Sequence, residues 1–218
     1  MTAVTLWEWS CMAVPLIAAC YLTMILMGGG GLKKASVLPK CTGSFVCAVT
    51  AGLAVLQSGG NPLAHPVFWA LLLCMAGDYL IEQQMVAGGL AFAAGHMVLT
   101  VWALGQAPFH WVSLLIWATA LAALTAYLYG CRRQMGGMAL PLLLYGAILT
   151  ADLAVAAVLP FTAGGAFWTL AAGLLSFVLS DAILGRNVFG EAKPWRSKLL
   201  MALYYLALYL IAATPWRI

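Results

Sequence analysis

Five ionisable side chains interrupt otherwise apolar stretches of this sequence: Asp78, Glu82, His96, Asp152 and Asp181. A charge in hydrocarbon costs at least about 2 kcal/mol, so such groups face a bundle interior or a wet cavity. Asp78 and Glu82 stand four residues apart and share a face if the helix carrying them continues that far. Two nearby carboxylates in a low dielectric divide their protons unequally, which equips them for acid catalysis beside an ionised partner. A neutral imidazole both donates and accepts, which suits His96 to orienting a group or relaying a proton. The plainer alternatives are a headgroup-level Glu82, an Asp78 paired with a Lys, and a His96 that bonds between helices.

The elements that must position these groups follow from composition. Of 218 residues, 65% are apolar and 7% charged, against roughly half and a quarter in soluble domains. That excludes a soluble enzyme, disorder and coiled coil, and makes the chain an all-α polytopic membrane protein. Runs approaching the ~20 residues needed to cross hydrocarbon occupy eight places. They are 7–27, 42–56, 66–81, 86–104, 111–129, 139–158, 164–184 and 198–213, the second and eighth being short. Clusters such as Gly28 to Gly31, Gly59-Gly60-Asn61-Pro62 and Gly164-Gly165 punctuate them. No linker is long enough to divide the chain, so residues 1–218 are expected to form one transmembrane helical domain.

Lys33, Lys34, Lys40, Arg132, Arg133, Arg186, Lys193, Arg196 and Lys198 all fall on one side of an eight-span arrangement, and Arg217 alone on the other. The positive-inside rule then makes the first side cytoplasmic and both termini non-cytoplasmic. The first segment lacks a basic start, so it reads as a span and not as a leader, despite Ile17-Ala18-Ala19-Cys20. The six Cys form no Cys-x-x-Cys pair and no zinc-type cluster, so no metal is expected.

Depth along each helix groups the ionisable residues. At ~1.5 Å per residue, Asp78 lies ~18 Å and Asp181 ~25 Å from the outer ends of their helices, both in the cytoplasmic half. The same count sets His96 ~15 Å in from the cytoplasmic end and Asp152 ~20 Å in, in the outer half. Asp78, Asp181 and His96 are therefore expected to share one inward-opening pocket, with Asp152 apart from it.

The residues around these groups carry a resemblance. Gly77-Asp78 closing one helix, Gly89-Leu90-Ala91-Phe92 leading to His96 on the next, and Ser180-Asp181 on the penultimate helix resemble the YhhN-like lysoplasmalogenase family. Lys34 with the segment to Pro39, and Tyr204-Tyr205-Leu206-Ala207 on the last helix, also fall where similar elements are expected. The sequence departs from that pattern at Leu99, where Tyr is frequent, and at Leu208, where Gln is expected, and Asp152 has no counterpart in it.

The resemblance implies hydrolysis of the vinyl ether bond of lysoplasmalogens, giving a fatty aldehyde and glycerophosphoethanolamine or glycerophosphocholine. It implies no cofactor, and it makes Asp78 and Asp181 the catalytic pair with His96 orienting or relaying. Glu82, Lys34, Lys40, Arg186 and Tyr205 are the residues expected to bind the lysophospholipid, although the orientation rule alone would account for the cations. A proton-coupled carrier using the same buried groups is the alternative, and a purely structural membrane scaffold a third reading. The expected partners are the lipid substrate and the membrane, with no nucleic acid and the oligomeric state open. A bacterial inner membrane is expected, the endoplasmic reticulum obeying the same charge rule.

Overall fold

Pro66 and Pro194 open two of the helices, where a missing N–H costs nothing and the fixed φ suits a first turn. The structure, a computed structural model, describes residues 5–26 and 37–218. Eight long helices are present among these: α1 (Leu6–Leu26), α2 (Val37–Gln57), α3 (Pro66–Gln83), α4 (Met85–Leu104), α5 (Val112–Leu128), α7 (Ala139–Thr162), α8 (Trp168–Phe189) and α9 (Pro194–Ala213). A single turn, α6 (Arg132–Met135), lies between α5 and α7. Six stretches are long and apolar enough to cross a membrane, and one of them, Val112–Thr162, folds as both α5 and α7. The remaining long helix, α3, is 18 residues long and carries two of the acids. The protein is thus an all-α, polytopic integral membrane protein.

The helices match the apolar runs closely, and the two runs that were short in sequence lengthen. Helix α2 begins by Val37 and α9 at Pro194, so Lys40 and Lys198 lie inside helices and not in loops. Polar and charged residues in the first turns, such as Lys40 and Lys198, interrupt the apolar run, which is why the run understates the helix.

One residue, the extended Gln84, separates α3 from α4 and forces a tight antiparallel hairpin. Glycine makes that approach possible. A Cβ on Gly88 would stand 2.5 Å from Ile81 Cα, and one on Gly95 would stand 3.0 Å from the Ala70 carbonyl oxygen. Helices α8 and α9 meet in the same way at Gly173, whose Cβ would come 3.0 Å from the Ala207 carbonyl oxygen. Small residues at close crossings are what membrane bundles use where burial of apolar area supplies little drive.

At one end of the bundle the Trp9 indole donates to Thr50 Oγ1 at 2.8 Å, and the Trp216 indole donates to the Thr50 carbonyl at 2.9 Å. The starts of α1 and the chain's last turn therefore lie together, beside the end of α2. The opposite end carries Arg132, Arg133, Lys193 and Arg196. Outward positions hold large apolar side chains such as Leu22, Leu56, Val101, Leu114, Phe161 and Leu175, the surface a bilayer would cover. Inside, Phe177 lies at the centre, edge-on to Phe92, Tyr204 and His96 with ring centroids 5.9, 5.5 and 4.5 Å away.

Candidate functional site

Toward the end with the basic loops, the bundle holds a cavity of about 530 Å³ lined by residues of every helix from α1 to α9, with α1, α2 and α6 contributing Met24, Lys40 and Met135. Its walls are mostly Leu, Ile, Val, Met and Phe, and its few polar groups include Asp78, Glu82, Lys40, Tyr145, Asp181 and Tyr204. Such a volume, apolar with a few converging polar groups, is within the usual range for a ligand site.

Asp78 is fully buried on α3 and is the most heavily supported acid. Ser44 of α2 donates to its Oδ2, Tyr204 of α9 donates to the same oxygen at 2.7 Å, and Lys40 of α2 sets its ammonium 3.3 Å from Oδ1. Two helices, α2 and α9, thus converge on the carboxylate that α3 carries. Two hydroxyl donors and a cation surround this carboxylate.

Asp181 enters the same cavity from α8, following Ser180, which also lines it. It is half-buried and receives one protein hydrogen bond, from the Tyr145 hydroxyl of α7 to Oδ2. No cation stands within ion-pair distance of it among the described residues. Glu82, one turn beyond Asp78, also lines the cavity and is half-exposed. The structure thus brings Asp78, Asp181, Glu82 and Lys40 together around one space.

His96 departs from the expected grouping. It is fully buried but does not line the cavity, and its Nδ1 lies 2.9 Å from Asp152 Oδ2. Asp152, expected to stand apart on grounds of depth, is its partner. Both α4 and α7 start at the basic end, so the two residues differ in depth by only about 5 Å at 1.5 Å per residue, which side chains span. Among the described residues His96 Nε2 and Asp152 Oδ1 have no hydrogen-bond partner.

Two further expectations are corrected by position. Tyr205 does not reach the cavity: its hydroxyl donates to the Pro39 carbonyl at 3.3 Å, and its ring fills the space that a side chain at Gly43 would need. Its neighbour Tyr204, about 100° around the helix, is the tyrosine of the site. Arg186 turns away to the end of α5, donating to the Tyr127 carbonyl at 3.1 Å with its guanidinium 5.2 Å from the Tyr127 ring centroid. Lys34 lies outside the described residues.

Ser44 and Tyr145 are not singled out by the sequence, and Tyr204 figures there only as part of Tyr204-Tyr205-Leu206-Ala207, with Tyr205 taken as the binding residue. A faint signal existed for Tyr145, which precedes Asp152 by seven residues and so shares its face of α7. Ser44 likewise follows Lys40 by four.

Comparison with known proteins agrees with this arrangement in extent. Residues 35–214 match the model of the YhhN family. Curated relatives are the rat lysoplasmalogenase TMEM86B, 32% identical over 210 residues that cover 93% of this chain and 83% of the relative, and its mouse counterpart, 30% identical with 93% and 85% covered. The human lysoplasmalogenase TMEM86B is 32% identical over 205 residues, with 93% and 84% covered. No solved structure matches the chain. The matched stretch runs from the approach to α2 through the end of α9 and so takes in every helix that lines the cavity except α1, which places this protein in the YhhN family.

Proposed function

We infer that the protein is a membrane-embedded lysoplasmalogenase, cleaving the vinyl ether bond of a single-chain ether phospholipid. The observation that carries this reading is one apolar cavity into which two helices deliver carboxylates with unlike surroundings, Asp78 held by three donors and Asp181 by one. The naming of the rat, mouse and human relatives as lysoplasmalogenases supports it.

The chemistry divides between the two acids. Asp181 delivers its proton to the alkene carbon remote from the ether oxygen, and the π electrons form that C–H bond. The positive charge then rests on the carbon bound to oxygen, as an oxocarbenium ion. Asp78, ionised and facing the same space, stabilises that charge and takes a proton from the water that attacks it. The resulting hemiacetal then collapses: Asp78 gives the proton it took from water to the departing glycerol oxygen and the hemiacetal hydroxyl proton passes to Asp181, which leaves a fatty aldehyde, the free hydroxyl of the glycerophospho headgroup and both acids as they began. The roles parallel those of paired carboxylates at a glycosidic bond, whose transition state is also oxocarbenium-like. Tyr145 and Tyr204 orient the two acids. Lys40 holds Asp78 ionised and, with Glu82, faces a zwitterionic headgroup from the cavity's polar side.

The test is fatty aldehyde release from a lysoplasmenyl lipid by purified protein, beside Asp78→Asn and Asp181→Asn variants that fold equally well. Loss in both supports the pair. Full activity in both overturns the mechanism, and no aldehyde from the native protein with several headgroups overturns the enzyme reading in favour of proton flux assays in vesicles.

A further inference from the structure

Of the residues that line the cavity, four are exposed: Val86 and Leu90 of α4 and Pro141 and Leu144 of α7, by 41%, 67% and 58% for Val86, Leu90 and Leu144. Other lining residues, among them Phe92 of α4, Leu149 of α7 and Met201 of α9, are buried. The wall is therefore breached along the seam between α4 and α7. Farther from the basic end that seam is closed by the bond from His96 to Asp152, six residues beyond Leu90 and eight beyond Leu144.

Gly89 stands in the gap. It lines the cavity, and a Cβ built on it would meet nothing within 4 Å. Its neighbour Gly88, by contrast, is pressed against Ile81. A glycine within a helix that neither a close contact nor a left-handed φ requires is unfavourable for the helix, and keeping the gap open accounts for it.

We propose that the α4/α7 seam is a lateral portal through which the hydrocarbon tail of a single-chain lipid passes from the surrounding leaflet into the cavity, with the His96–Asp152 pair clasping its closed end. The identity of the tail's owner rests on the lysoplasmalogenase reading; the portal itself rests on the geometry. An apolar gap at hydrocarbon depth suits a chain that never has to cross water. The polar headgroup then stays at the basic end beside Lys40 and Glu82.

Gly89 supplies the test, because side chains added there enter open space and leave the fold intact. Purified native protein and Gly89→Ala, Gly89→Leu and Gly89→Trp variants are reconstituted in phosphatidylcholine vesicles. A saturated single-chain lysophosphatidylcholine with a diazirine in its tail is photolysed in them, and the labelled peptides are mapped. The expected result is labelling on residues 86–93 and 141–149 that falls at least fivefold in Gly89→Trp and in graded steps through the series. Labelling that is unchanged across the series overturns the portal, as does labelling elsewhere on the bundle. Equally strong labelling by a two-chain diazirine phosphatidylcholine also overturns it, because the seam would then be an ordinary lipid contact. The probe has no vinyl ether, so the outcome is independent of hydrolysis: native protein that labels as expected but releases no aldehyde loses the proposed function and keeps the portal. In active protein, Gly89→Trp is expected to raise KM for a long-chain lysoplasmenyl lipid at least tenfold with kcat nearly unchanged.

Discussion

Asp78 and Asp181 have the same side chain in the same cavity, and their neighbours distinguish them. Removing one donor from Asp78 by Tyr204→Phe leaves Ser44 and Lys40 in place, so a loss of about 1 kcal/mol of support is expected, read as a fivefold to tenfold fall in kcat. Tyr145→Phe takes away the one side-chain donor of Asp181, and the acid then loses its orientation, so a larger fall is expected. A smaller effect from Tyr145→Phe than from Tyr204→Phe would reverse the roles given to the two carboxylates. Asp78→Asn and Asp181→Asn are each expected to lower kcat by about 10²–10⁴, the usual worth of a general acid or base. The buried pair of His96 and Asp152 makes a different prediction, about stability. Leaving one of two fully buried partners alone costs about 3 kcal/mol or more, whereas replacing both by apolar groups costs much less. Asp152→Leu should therefore melt earlier in detergent than the His96→Leu, Asp152→Leu double variant. Strictly additive losses would show that the pair does not act as a unit.

At the scale of helices, close crossings and open gaps are told apart by what a methyl group would meet. Gly173→Ala drives a Cβ to within 3.0 Å of the α9 backbone at Ala207 and 2.9 Å of Ile211, so it should destabilise by about 1–3 kcal/mol, as overpacking does. Gly88→Ala, pressed on the α3 backbone, belongs with it. Gly89→Ala meets nothing and gains helix propensity, so a melting temperature equal to or above the native value is expected. Thermal unfolding of the three variants in one detergent checks the set, and a destabilised Gly89→Ala would contradict the gap between α4 and α7.

For the whole molecule, the bundle brings the described start of the chain and its last turn to one end through Thr50, and the basic residues to the other. With the charge rule this predicts that a Cys placed at Ile218, in a variant lacking the native Cys, reacts with a membrane-impermeant maleimide from outside intact cells. A Cys placed at Arg132 should react only after permeabilisation. The reverse pattern would invert the assigned orientation. The number and place of the helices were legible in the sequence because hydrocarbon imposes length and polarity on every span, and the scarcity of charge left few candidates for chemistry. Asp78 and Asp181 were visible for that reason, as was Glu82 one turn from Asp78. The rotation of each helix was not legible. Helices that are apolar nearly all round have no solvated face to point outward, so periodicity is silent about which side turns inward. Packing alone decided that Tyr204 and not Tyr205 meets Asp78, that Arg186 turns to α5, and that His96 finds Asp152. Shape fit and polar contacts between helices set this geometry, and both depend on residues distant in the chain.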